Sequence, residues 1–430
     1  MAYFISKKML IIILFAIFSQ IGYSLLAPLY PFLAEERGIS SSLVGIIFSS
    51  FAISNFLLTI LTPLLSEICG RKNLLILAIL TESSCTIWFG LISFIENRSL
   101  FIILSFIIRF FQGAGGAIVQ TLIYSLTAAI SDDKEIEKNL GYIEVGTSIG
   151  IAIGPLIASI GYYMFGFKFP FLISGFMGML LISCVPLLEI HHINDDDNDN
   201  NTVNVFPILK NRNIILTFLA VTMDSISISF IYPVFASHLN QKFGLEPEET
   251  ALFFIITTIF YFLSLQILSP ANKLFGNRIT MTIGMLFNSF FILFLGPSNF
   301  LPQKLSIIIL GLAGLGFGGA FISIPAVIDA IIILKNELKF NENSSQDYAS
   351  AVYNLGYFLG ETIGPLFGGN LTQKYGFVGG CNINCIANYF YAFIYASFIV
   401  FDKIVQKVKS SDKDVNCENK INDCECEKLI

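Results

Sequence analysis

The sequence predicts an all-α integral membrane protein of twelve transmembrane helices arranged as two six-helix halves. Three observations carry this. Of 430 residues, 54% are hydrophobic and only 13% are charged, where a soluble chain carries about 25% charge. The apolar residues run in blocks of the length, about 20 residues, that crosses ~30 Å of hydrocarbon. Finally, GTSIGIAIGPLIAS at 146–159 recurs as GYFLGETIGPLFGG at 356–369, an offset of 210. Only helices and closed barrels satisfy the backbone in lipid, and the short alternating strands of a barrel are missing.

The apolar blocks fall at 9–33, 42–66, 73–95, 100–130, 139–165, 168–189, 213–239, 249–271, 278–298, 304–334, 348–372 and 378–402. Lys7 and Lys8 precede the first block. It is too long for a signal peptide and lacks a small-residue cleavage site, so it reads as span one. The longest polar break, in the Asn- and Asp-rich segment from His191, His192 onward, divides the chain. The expected organisation is an N-terminal half at 1–190, a disordered cytoplasmic linker at 191–212, a C-terminal half at 213–402 and a cytoplasmic tail at 403–430. With the N-terminus inside, twelve Lys and Arg precede the tail on inner segments and six lie on outer loops. The positive-inside rule then places both termini in the cytoplasm.

The repeat runs beyond the glycines. Gly146, Gly150, Ile153, Gly154, Pro155, Leu156, Gly166 and Phe167 match Gly356, Gly360, Ile363, Gly364, Pro365, Leu366, Gly376 and Phe377. GAGGA at 113–117 in span four answers GFGGA at 316–320 in span ten. Duplicated units build central sites in secondary transporters. Glycines four apart let a neighbouring backbone approach closely, and proline bends the helix. Gly146, Gly150, Gly154 and Pro155, with Gly356, Gly360, Gly364 and Pro365, are therefore expected to form a conformational seam that packs in one state and parts in another. Ordinary small-residue packing is the simpler alternative.

The net charge of −6 and acids gathered in loops and tail give no basic footprint for nucleic acid. Neither a catalytic set nor a phosphate loop appears, so no enzyme and no cofactor are expected. The eight cysteines lie in spans and tail without a disulfide framework, and the tail spacing lacks the further ligands of a metal site.

These stretches resemble the major facilitator superfamily. GTSIGIAIGPLIAS is similar to its span-five antiporter motif, and RFFQGAGGA at 109–117 to its span-four motif. PLLSEICGRK at 63–72 resembles its loop between spans two and three: Gly70, Arg71 and Lys72 match, Glu67 stands for the usual Asp, and Pro63 and Ile68 depart from the pattern. The second-half counterpart at 269–278 keeps little beyond Gly276 and Arg278. The resemblance implies the major facilitator fold, alternating access, and a gating role for Glu67, Gly70, Arg71 and Lys72. A narrower likeness is to the vesicular amine and polyamine branch. It rests on GYIEVGTSIGIAIGP, which places Glu144 eleven residues before a proline, and on APLYP at 27–31. Aminergic members carry an acid nine residues before the span-one proline, where this chain has Ser19. In span seven the matching place holds Asp224.

Ionisable residues inside a membrane are costly and mark function. Arg109, Asp224, Glu361 and Glu82 lie deep in spans, and Asp329 near the end of one. Glu361 sits within the seam helix, where the first half has Ile151. Glu361, Asp224, Glu144, Arg109 and Gln112 are the candidate substrate and proton-coupling residues. A desolvated carboxylate can hold either a proton or a cation, and that exclusion would couple the two. Arg109 reads equally as a coupling group or as one side of a structural ion pair. Gln20 and Gln120 could add neutral hydrogen bonds, and Tyr23, Tyr142, Tyr232, Tyr353 and Tyr357 could face a cation.

The expected function is proton-coupled antiport of small organic cations, amines or polyamines, across the bilayer. The alternatives are a broad drug or metabolite exporter and a non-transporting receptor or scaffold. Asn97 and Asn370 are outer-side sequons close to the membrane. The chain ends ECEKLI, and Glu425, Leu429 and Ile430 resemble an acidic dileucine signal read by clathrin adaptors, which would favour vesicular or endolysosomal membranes over the plasma membrane.

Overall fold

In the computed structural model, residues 6–131, 136–188, 208, 210–297, 301–340 and 342–426 are described, with side chains as far as residue 404. Among these residues the chain is helical throughout, without strands. The helices are α1 Lys7–Glu36, α2 Ser41–Cys69, α3 Arg71–Phe94, α4 Arg98–Ile130, α5 Ile136–Phe165 and α6 Lys168–Leu188. They continue as α7 Arg212–Ser229, resuming at Phe235–Phe243, then α8 Pro247–Phe275, α9 Asn277–Leu295 and α10 Leu305–Asn336. A last helical stretch, Glu342–Cys426, is turned at Gly376 and gives α11 at 342–375 and α12 at 377–426.

Local chemistry sets several of these boundaries. The Ser6 hydroxyl accepts from Met9 N–H at the start of α1, and the Asn211 side chain from Asn213 and Ile214 at the start of α7. Glu246 and Glu249 form a capping box at α8, with Pro247 in the first helical position. The turns that reverse the chain need glycine. Gly70 and Gly276 adopt φ 75° and 81° between α2–α3 and α8–α9, and Gly166 and Gly376 adopt φ 75° and 73° between α5–α6 and α11–α12. These are left-handed values that cost an L side chain strain. Each pair occupies the same place in its half.

The apolar side chains sort into an interior and a lipid-facing coat. Phe15, Leu75, Phe101, Phe171, Leu312 and Phe235 are buried, while Ile68, Leu180, Leu274 and Phe393 lie exposed on the outer surface. Outward-facing hydrophobic residues on long helices are what hydrocarbon requires.

The seam glycines expected in α5 and α11 face helices of their own half. A Cβ at Gly150 would overlap the Ile17 carbonyl oxygen of α1, and one at Gly154 the Ser24 hydroxyl. In the second half, a Cβ at Gly360 would lie 2.5 Å from the Thr222 carbonyl oxygen of α7, and Gly364 faces Ser229. The serines add matching bonds: Ser24 donates to the Gln20 carbonyl, and Ser229 to the Ser225 and Gly360 carbonyls. So α5 packs on α1 and α11 on α7, each inside its own half. The halves meet where α2 crosses α11 and where α5 packs on α8. At the first crossing Gly45 lies against the Pro365 carbonyl, Gly369 against Ser41, and Ser49 donates to the Thr362 carbonyl at 2.7 Å. Of the expected seam residues, Pro365 is the one whose backbone reaches across.

Two expectations fall wholly or mostly beyond the described residues. His191, His192 and most of the 191–212 linker are among them, as are Leu429 and Ile430. The tail is helical to Cys426.

Candidate functional site

A cavity of about 290 Å³ lies between the halves. Helices from each half supply its walls: α1, α2, α4 and α5 from one, α7, α8, α10 and α11 from the other. Four hydrogen bonds that cross between the halves run from the cavity toward the face opposite the termini. They are Tyr23 to Glu361, Ser49 to the Thr362 carbonyl, Ser42 to Asn370, and Gln241 to Glu35. These contacts hold the two halves together on that side.

Glu361, Asp224, Glu144 and Arg109 all line the cavity, so the structure brings four of the five predicted coupling residues to one space. Gln112 stands behind them. Glu361 is 6% exposed, and its Oε1 accepts from the Tyr23 hydroxyl at 2.5 Å. Tyr357, one turn back on α11, lines the cavity beside it. Through the Tyr23 bond a single side chain of α11 is tied to α1 across the interface. Tyr232 packs edge-on to Tyr23 with ring centroids 6.2 Å apart and completes an aromatic floor.

Asp224 is 4% exposed. Its Oδ1 accepts from Asn288 Nδ2 at 2.6 Å, and its Oδ2 from the Ser323 hydroxyl at 3.4 Å. Both donors are neutral, so the carboxylate has no compensating charge among its bonded partners. Glu144 accepts from the Tyr124 hydroxyl and, unlike the other two acids, is exposed.

Arg109 has no carboxylate within ion-pair distance among the described residues. The guanidinium instead lies 4.1 Å from the Phe51 ring centroid and 5.8 Å from that of Tyr23. One terminal nitrogen donates to Gln112 Oε1 at 2.7 Å, and Nε has no partner. Gln112 passes the connection on, donating to Thr86 at 2.9 Å and to the Gly22 carbonyl at 3.3 Å. The structural ion pair considered from the sequence is absent among the described residues; aromatic faces and an amide hold the cation.

Gln20 donates to Gln120 at 2.8 Å across the cavity wall. Tyr23, Tyr232, Tyr353 and Tyr357 line the cavity, and Tyr142 packs against the core beside α1 and α4. In the loop between α2 and α3, Gly70 makes the turn, and Glu67 and Lys72 are exposed, away from the cavity. The second-half counterpart carries more than its sequence indicated. Arg278 binds Asp329 at 3.0 Å and Asp402 at 3.4 Å, and Asp402 also pairs with Arg212. Asp329 accepts from Thr217 as well, at 3.0 Å. This network fastens the ends of α7, α9, α10 and α12.

Sequence reasoning missed the partners rather than the charges. Asn288, Ser49 and Gln241 are polar residues in or beside apolar helices, a visible signal, but nothing local says what they meet.

The comparisons with known proteins agree with this architecture. The family model described as Major Facilitator Superfamily matches residues 12–223 and again 217–415. The human MFS-type transporter SLC18B1 is 25% identical over 374 residues, covering 84% of this chain and 78% of that protein. The human chromaffin granule amine transporter is 22% identical over 291 residues, or 67% and 54% of the two chains. Multidrug resistance protein 2 of Bacillus subtilis (strain 168) is 25% identical over 263 residues, 59% and 64%. Among solved structures, the nucleoside transporter NupG superposes with a TM-score of 0.72 at 12% identity, covering 92% of this chain and 99% of that one.

Proposed function

The chain belongs to the major facilitator superfamily, and on that premise we propose that it is a secondary transporter exchanging protons for small organic cations, amines or polyamines. The observation that carries this reading is the occupancy of the cavity wall. Glu361, Asp224 and Glu144 face the cavity, whereas the cation Arg109 is turned onto Phe51 and Gln112. A cavity with more acids than free cations attracts ammonium groups, and aromatic rings such as Tyr23 and Tyr232 suit their apolar parts.

Glu361 is the coupling group in this reading. Ionised, it accepts from Tyr23 and can meet a cation; protonated, it no longer can. Proton and cation therefore exclude one another at one carboxylate. Because the Tyr23 bond joins the halves, its loss or gain also bears on whether they stay closed. Alternating access would break the crossing of α2 and α11 and open the face opposite the termini. Similarity to the chromaffin granule amine transporter supports the amine class and a vesicular membrane. The distribution of Lys and Arg supports cytoplasmic termini, and the ECEKLI end supports adaptor sorting. A broad-specificity exporter is the second reading, favoured by the aromatic lining and by the likeness to a multidrug resistance protein.

Reconstitution into proteoliposomes with an imposed pH gradient tests the proposal. Labelled spermidine and a monoamine should accumulate against their gradients, and Glu361→Gln should abolish accumulation. Uptake of neutral drugs in preference to both would select the exporter. No uptake of any solute would leave a receptor or scaffold.

A further inference from the structure

The two halves align in register, and at one place the alignment exchanges an acid for its partner. Span by span, Ser19 of α1 corresponds to Asp224 of α7, Glu82 of α3 to Asn288 of α9, and Gly116 of α4 to Gly319 of α10. In the second half α7 supplies the acid and α9 the donor: Asn288 to Asp224 Oδ1, 2.6 Å. In the first half α3 supplies the acid and α1 the donor: Ser19 to Glu82 Oε1, 2.9 Å. Each acid rests on the equivalent glycine. A Cβ at Gly116 would lie 3.5 Å from Glu82 Oε1, and one at Gly319 would lie 3.7 Å from Asp224 Oδ1.

We propose that Glu82 is a second proton-binding carboxylate of the transport cycle, the first-half counterpart of Asp224. It would supply from α3 the acid that α1 lacks at Ser19. The proposal rests on the transport reading above, but the site itself stands on geometry. Glu82 is 1% exposed, and its Oε2 has no hydrogen-bond partner. An unpartnered oxygen on a buried carboxylate is far cheaper to hold as a neutral acid than as an anion. Ser19 and Gly116, which cover Glu82, line the cavity, so the acid sits one side chain behind its wall. The charged and titratable groups around it are few. Arg109 attracts it from α4, and Cys85 lies nearby on its own helix. α1 brings Ser19, with Tyr23 bonded to Glu361, and α6 packs there through Gly175 and Gly178. Gln112 and Thr86 converge with Glu82 on Gly22, where a Cβ would meet all three within 3.7 Å. Protonation of Glu82 is thus placed to be felt by Arg109 through Gln112.

The test reads protons first and transport second. In pH-difference infrared spectra of the reconstituted protein, Glu82→Gln should remove one carboxylic-acid carbonyl band. The transposed pair Ser19→Asp with Glu82→Asn, which copies the second half's arrangement, should return a band. In pH-jump assays with spermidine as probe, Glu82→Gln should lower the protons moved per spermidine, and the transposed pair should restore them. Spectra of well-folded Glu82→Gln identical to those of the unmodified protein overturn the proposal, as does a transposed pair that returns neither band nor stoichiometry. If the unmodified protein moves no spermidine, the transport reading fails, and the infrared bands still decide whether Glu82 binds a proton.

Discussion

Gly45 of α2 lies against the carbonyl oxygen of Pro365 in α11, with no room between them for a side chain. It is a close meeting of the two halves, and the polar crossings Ser49–Thr362 and Ser42–Asn370 flank it.

Replacing Gly45 should therefore open the face opposite the termini. Gly45→Ala places a methyl group on the Pro365 carbonyl and penalises the closed state, with about tenfold in population for each 1.4 kcal/mol. In a cysteine-free background, Ser42→Cys should react faster with a membrane-impermeant thiol reagent applied from the face opposite the termini when Gly45→Ala is present. Unchanged labelling would show that α2 and α11 adjust without parting.

Glu361 and Tyr23 should be separable by conservative changes. Tyr23→Phe keeps the ring and removes the 2.5 Å bond to Glu361. It should leave coupled uptake measurable while weakening closure, so Ser42→Cys labelling rises. Glu361→Gln keeps a hydrogen-bonding group of similar shape and removes the exchangeable proton. It should abolish accumulation driven by the pH gradient without lowering the amount of folded protein. Wild-type accumulation in Glu361→Gln would remove Glu361 from the coupling role.

The Arg278–Asp329 pair should matter to stability rather than to substrate. Its side chains are 28% and 7% exposed, and it anchors four helix ends. Asp329→Asn keeps the Thr217 contact and weakens the charged bond, at a cost of about 1.5–3 kcal/mol. An SDS-unfolding titration should show the loss, while spermidine affinity in the reconstituted protein should stay unchanged. A shift in affinity with unaltered stability would assign the network to the transport cycle.

Much of this architecture was legible in the sequence, for definite reasons. Span length follows from hydrocarbon thickness, and the Gly166 and Gly376 turns follow from the repeat because only glycine takes that backbone cheaply. The cost of burying charge singled out Glu361, Asp224 and Arg109. What the sequence could not supply was the neighbour. A glycine every fourth residue says that something approaches closely, and the same pattern would serve between halves or within one. Gly150 and Gly360 proved to face α1 and α7, whereas the crossing between halves uses Gly45, an isolated glycine in an apolar run. Likewise Tyr23 meets a residue 338 positions away. Glu82 was visible as a buried acid, but its meaning depends on Ser19 and on the comparison with Asp224 and Asn288.

The last prediction concerns Arg109, whose sequence context left a coupling group and an ion pair equally open. The guanidinium is planar, stacks on Phe51 and fixes Gln112, and a lysine can do neither in the same way. A stacked cation of this kind contributes about 0.5–2 kcal/mol. Arg109→Lys and Phe51→Leu should each destabilise the folded protein in SDS titrations. Because both disrupt one contact, the double variant should lose less than the separate losses combined, with a coupling of about 0.5–2 kcal/mol. The corresponding cycle between Arg109→Lys and Glu361→Gln should show weaker coupling, since no carboxylate lies within ion-pair distance of Arg109 among the described residues. The reverse ranking, with strong coupling to Glu361 and none to Phe51, would make Arg109 the counter-ion of the transport carboxylate and would contradict the stacking role.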